Sequence, residues 1–188
     1  MGQKHKSRGF SLVELLVVTA VVLVIAAIAA PMVTRNLRAY RVGAAATDVA
    51  NFIQRTRYEA IRRNITTTSR AQVTNGRWQV WIDYNQNQRV DANEPFILMP
   101  NDMVFLNQSQ VPSAQSMGYT STSLIQGRVS FDSRGTVDYG PGVAPSVLLC
   151  YIGNPTDPNS GYRAVAVTPA GKTQIWRSAG PGDTYWHK

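Results

Sequence analysis

Residues 8–33 read RGFSLVELLVVTAVVLVIAAIAAPMV, and Glu14 is the only charge in the 24 residues from Phe10 to Val33. Beyond it, Leu15 to Val33 is 19 residues with only Thr19 polar. About 20 apolar residues span a bilayer as a helix, so the length fits a membrane anchor better than a core helix. A secretory signal peptide is the competing reading, with Lys4, Lys6 and Arg8 as its basic start and a cut after Ala27-Ile28-Ala29. Apolar regions of signal peptides run about 7–15 residues and lack an internal acid, which favours the anchor. A carboxylate at the centre of a membrane helix costs about 2.5–3.5 kcal/mol, and less toward its edge. Glu14 lies near the edge. An interfacial glutamate without a partner is its plainest account.

Charge and cysteine usage narrow the function classes. The 188-residue chain carries a formal net charge of +8, but the charge is unevenly placed. Lys4, Lys6 and Arg8 precede the apolar run, and seven arginines against Asp48 and Glu59 occupy residues 35–63. Residues 64–188 hold nine basic and eight acidic groups, so the bulk of the chain is near neutral. A strongly basic binding face is not implied. Positive charge flanks the apolar run equally, with Arg35, Arg38 and Arg41 after it, and therefore does not orient it. Cys150 is the single cysteine, inside the apolar stretch 146–152, and reads as a small buried hydrophobe. The two histidines are His5 and His187, so no histidine triad or multi-histidine metal site is available, and no cofactor or catalytic residue is expected.

The rest of the chain reads as one domain of about 150 residues, enough for a core of its own. Residues 36–63 continue the helix, with Val42, Ala45, Val49, Phe52, Ile53 and Ala60 on one face and Arg41, Arg55 and Arg62 on the other. From Thr66 the pattern turns to strands. Arg77 to Tyr84 alternates, and 95–99, 103–106, 128–131, 146–152, 162–168 and 173–177 are further strand candidates. Thr168-Pro169-Ala170-Gly171 is a turn that joins the last two into a hairpin. Residues 107–127, 138–145 and 153–161 read as loops, and 178–188 as a mobile tail.

The leader carries a resemblance. A short basic segment ends in Gly9, Phe10 follows, and Glu14 is the fifth residue counted from Phe10, ahead of an uninterrupted apolar run with Pro31 inside it. This resembles the leader of type IV pilins and type II secretion pseudopilins. The pieces WQVWIDYNQNQRVDANEPFIL, RVSFDSRGTV and VAVTPAGKTQIWR resemble the GspH/FimT branch of that family. The resemblance implies an α+β, type IV pilin-like fold, with a long N-terminal helix on an antiparallel sheet domain. It implies a cleaved leader at 1–9, a transmembrane helical half at 10–37 and a periplasmic domain at 38–188. A prepilin peptidase would cut between Gly9 and Phe10, and Phe10 would be N-methylated. Glu14 would set the assembly register by meeting the terminal amine of a neighbouring subunit. The implied function is assembly or initiation of a type IV pilus or a type II secretion pseudopilus. Other pilins and the inner-membrane assembly platform would be the partners, and the chain would cross the inner membrane once.

Two further constellations are candidates. Asp83, Asn85, Asn87, Asp91 and Glu94 stand at the spacing of an EF-hand calcium loop, which supplies six or seven oxygens, but Gln88 occupies the glycine position. A polar hairpin connection is the competing account. Gly171-Lys172-Thr173-Gln174 matches half of a Gly-Arg-x-Arg hairpin that some family members use to bind DNA. Lys172, with Arg177 nearby, would make this a DNA-binding minor pilin, but Gln174 lacks the second guanidinium fork.

Overall fold

A computed structural model describes residues 11–125 and 127–188. Helix α1 runs Leu12–Arg63, and the chain divides into two compact units between Leu37 and Arg38. In the first unit the apolar side chains of α1 are exposed, Leu15, Val22 and Ile28 among them. It is long and apolar enough to cross a membrane.

The second unit is built on the remaining part of α1, which buries Val42, Ala45, Ala46, Val49, Ala50, Phe52, Ile53, Thr56 and Ala60. That three-to-four spacing is the apolar stripe read from the sequence. Among the described residues nine strands follow: β1 (Thr67–Thr74), β2 (Arg77–Asp83), β3 (Phe96–Leu98), β4 (Val104–Leu106), β5 (Thr122–Leu124), β6 (Arg128–Phe131), β7 (Val147–Gly153), β8 (Tyr162–Val167) and β9 (Thr173–Ser178). They form two sheets rather than one. The first has the order β3-β2-β1-β6, and the second β4-β7-β8-β9. All pairs are antiparallel except β5, which runs parallel to β7 and shares with β4 the same edge of that strand. The long-helix-on-sheet architecture stands as expected.

Both sheets press one face on α1. Phe131, Ile152, Val165 and Val167 join Val42, Val49 and Ile53 in one cluster, and Val80 and Ile82 meet Phe52 in another. The second sheet is apolar on its other face too, through Leu149, Tyr151, Ala164, Ala166 and Trp176. A strand buried on both faces, such as β7, needs a cover on each. The second cover comes from segments read as loop and mobile tail. Ala114 and Met117 of 107–119 are buried there, and Trp186 of the tail is 4% exposed. Trp186 stacks on Tyr151 at 5.5 Å and donates its indole N–H to the Pro112 carbonyl at 3.1 Å. A bridge between Arg177 and His187 then pairs the tail with β9. The expectation of a mobile tail is corrected: one aromatic side chain and one strand edge hold it.

Candidate functional site

The junction Gly9-Phe10 lies outside the described residues. Glu14 lies in the first turn of α1, where a carboxylate complements the partial positive charge of the helix end. Pro31 sits within α1, and the Thr34 hydroxyl donates to the Pro31 carbonyl at 3.0 Å. A proline there costs one backbone hydrogen bond.

The acidic loop between β2 and β3 is brought together by its own hydrogen bonds. Asp83 Oδ2 accepts from Arg70 Nε at 2.5 Å and from the Gln88 amide at 3.1 Å. Glu94 Oε1 accepts from the Tyr84 amide at 2.8 Å, and Oε2 from the Asp91 amide at 3.2 Å. Both Asn85 and Asn87 turn their amide nitrogens to Asp91 Oδ2 at 2.8 Å, while their oxygens accept backbone amides of the loop. Gln88 takes a left-handed φ of 64° despite its side chain, so the missing glycine does not prevent the sharp turn. The five predicted residues therefore meet in one loop. Their oxygens are largely engaged within the protein, and among the described residues no three acidic, His or Cys side chains converge as a metal shell requires. These hydrogen bonds let the loop connect β2 to β3 on its own, while Asp83 Oδ1 is buried without a hydrogen-bond partner.

The last hairpin separates the two predicted DNA contacts. Lys172 follows the turn at the tip, whereas Arg177 is at the far end of β9, about 17 Å of extended strand away. The tip itself is tucked in. Gln54 of α1 donates to the Gly171 carbonyl at 2.8 Å, and Arg57 donates to Gly135 at 2.8 Å. Gly171 has φ 79°, and a Cβ there would collide with the Gly135 carbonyl, so glycine is required. Gln174 is not a vacant arginine position: its Oε1 accepts from the Tyr119 hydroxyl at 3.0 Å, and that hydroxyl accepts from Trp176 Nε1. With only two exposed cations set apart, the hairpin should contribute no more than about −1.8 to the salt slope for duplex DNA, about 12-fold between about 50 and 200 mM salt, read as the difference between the wild-type chain and a K172A/R177A variant. A titration giving a slope of about −5 would place a phosphate track on another surface.

The arginines of α1 differ in environment. Arg62 and Arg63 both pair with Glu59, at 2.7 and 3.0 Å, and the Arg62 guanidinium holds that carboxyl below its usual range. Arg63 also covers the Tyr84 ring at 3.7 Å. Arg55 and Arg41 are exposed, and Arg38 reaches Asp157 at 3.0 Å. Exposed pairs of this kind contribute little to stability. Arg57, a core-side clamp, was not separable from them in the sequence.

An apolar recess lies between the sheets, about 370 Å³ in volume, lined by Val49, Ile53, Trp78, Phe105, Leu149 and Cys150. Cys150 is 7% exposed, and burial pushes its thiol up to about 12.

Comparison with known proteins follows the same division of the chain. Residues 45–171 match the family model described as Type II transport protein GspH, and residues 4–30 match the prokaryotic N-terminal methylation motif. No curated protein matches the sequence. Among solved structures, the type IV minor pilin FimU of Pseudomonas aeruginosa is 16% identical, with a TM-score of 0.48, over 77% of this chain and 100% of that one. The minor pseudopilin EpsH from the type 2 secretion system of Vibrio cholerae is 13% identical, with a TM-score of 0.43, over 76% of this chain and 99% of that one.

Proposed function

The chain belongs to the GspH family and serves a type IV pilus or a type II secretion pseudopilus, and on that premise we propose that it is a non-catalytic minor subunit acting in filament initiation and assembly. The observation that carries this reading is the methylation motif at residues 4–30, which opens directly into the exposed apolar part of α1. The chain is anchored in the membrane by that helix. A prepilin peptidase removes residues 1–9, Phe10 becomes the methylated terminus, and residues 10–37 remain in the inner membrane with residues 38–188 in the periplasm.

Glu14 then has a physical role. Cleavage removes Lys4, Lys6 and Arg8 and creates an α-amino group with a reference pKa of about 7.7–8.0. An acid and an amine buried together cost far less than either alone, so Glu14 and the Phe10 amine of a neighbouring subunit fix the register of the packed helices. Other pilins and the assembly platform of the inner membrane are the partners.

Glu14→Val tests this. Removing one member of a buried pair costs about 3–5 kcal/mol, or roughly 100-fold or more in equilibrium. The variant is expected to be processed and inserted normally but to fall about 100-fold in filament incorporation, measured by co-purification with sheared filaments. Normal incorporation would return Glu14 to an interfacial position without a partner.

A further inference from the structure

Asp83 is fully buried at the end of β2, yet its Oδ1 has no hydrogen-bond partner. The other oxygen is well served. Oδ2 accepts from Arg70 Nε at 2.5 Å and, from the middle of the following loop, from the Gln88 amide at 3.1 Å. The Gln88 bond faces this carboxylate into the loop. A buried charged acceptor without a donor is costly, so Oδ1 calls for a positive partner that the chain itself does not supply.

The same loop gathers oxygens with acceptor capacity to spare, since a carboxylate or amide oxygen carries two lone pairs. Asn85 Oδ1 accepts the Asn87 amide, and Asn87 Oδ1 the Arg89 amide, one bond each. Glu94 accepts one amide on each oxygen, those of Tyr84 and Asp91, which folds its carboxylate back over the start of the loop. Asp91 takes both asparagine Nδ2 groups on Oδ2 and keeps Oδ1. Among the described residues the three acids do not close a shell by themselves. Calcium does not ask them to: its six to eight oxygens include neutral amide and backbone carbonyl groups, in a flexible geometry.

The donor set selects the cation. Oxygen ligands without histidine or cysteine suit a hard ion, and magnesium demands a near-ideal octahedron that an irregular hairpin loop does not offer. We propose that the β2–β3 loop is a calcium site, with Asp83 Oδ1 as its buried ligand and Asn85, Asn87, Asp91 and Glu94 completing the shell. Arg70 beside Asp83 and Arg89 within the loop offset part of the negative charge. That sets the affinity in the weak range of extracellular modules, about 10⁻⁴–10⁻³ M. The Ile82 amide already donates to the Pro95 carbonyl, so a bound ion ties the end of β2 to the start of β3 a second time. The site does not depend on which filament the chain serves.

Glu94 supplies the readout, because it holds the Tyr84 and Asp91 amides and hydrogen exchange at those two positions follows the loop directly. The full detergent-solubilised chain, freed of metal with a chelator, is titrated with calcium chloride and in parallel with magnesium chloride. About 10 mM calcium is about 10 to 100 times the expected Kd, so exchange at both amides should slow about 10- to 100-fold, and magnesium should leave it within about twofold. D83N also breaks the buried pair with Arg70, so its failure to fold would be uninformative about the ion. N85A/N87A alters two exposed side chains, and D91N keeps the shape of its own. Each should fold with an unchanged circular dichroism spectrum and lose the calcium-dependent slowing, whereas D102N, in the turn between β3 and β4, should keep it. No slowing in calcium overturns the proposal. So does slowing that survives in either loop variant, or that magnesium produces equally.

Discussion

The Cys150 thiol of the folded chain is expected to react with a disulfide reagent about 30 times more slowly than that of the unfolded chain near pH 8. Burial among apolar side chains disfavours the thiolate, raising the group from 9.0 to about 12, and the Val165 backbone hydrogen bond offsets only part of that. The thiolate is the reacting species, and its greater nucleophilicity at higher pKa offsets nearly half of the lost ionisation, so three units of pKa become about 1.5 decades of rate. Timed labelling in native and denaturing buffer measures the ratio. A folded chain that labels within tenfold of the denatured one would mean that the recess between the sheets opens readily. The same shift has a consequence for stability. The unfolded thiol ionises first as pH rises, so the folded state is favoured fully below about 9 and loses about tenfold per unit from there up to about 12.

Gly9→Val is expected to leave no mature chain at all. In the proposed processing the residue before the cut would have to let the substrate backbone lie close to the peptidase, and glycine alone adds no Cβ. A β-branched side chain adds bulk at that point and restricts the backbone as well. Intact-mass measurement of the membrane fraction checks this: the wild type should begin at N-methylated Phe10 and the variant at the unprocessed terminus. A variant that still begins at Phe10 would place the cut under other control. A wild-type chain beginning at Ala30 would restore the signal-peptide reading.

The parts of the fold that repeat with a fixed period were legible in the sequence. Val42, Ala45, Val49, Phe52, Ile53 and Ala60 repeat at helical spacing, and all six are buried. The turn at 168–171 carries Pro and Gly where a hairpin needs them, and β8 and β9 meet there. By contrast, β1 reads TTSRAQVT and shows no apolar alternation, because it lies inside its sheet between β2 and β6 and buries Thr67, Thr68 and Ser69. Its partners, not its own side chains, make it a strand. The cover over the second sheet was hidden for a related reason: Met117 and Trp186 are isolated apolar residues in polar segments. A signal for it did exist. The unbroken run Val-Leu-Leu-Cys-Tyr-Ile at 147–152 requires burial on both faces, and α1 serves only one of them.

The candidate sites divide similarly. Spacing alone brought Asp83, Asn85, Asn87, Asp91 and Glu94 into one loop, because all five lie within a single connection. Lys172 and Arg177 are as near in sequence but extended strand carries them apart. Arg163 and Arg177 are set opposite each other by the β8–β9 register, and His187 reaches Arg177 through an isolated bridge, neither of which a local pattern encodes.

The way the strand borders are finished limits how copies of this chain can associate. An open edge offers unpaired amides and carbonyls, and a crowded population of identical domains would otherwise zip together there. Here β4 and β5 divide the border of β7 between them, each only three residues long. His187 closes the border of β9 at Arg177, and the border of β6 is met by Val137 and Asp138. The remaining border, β3, is again three residues. Domains held side by side are thus discouraged from fusing into amyloid-like ribbons.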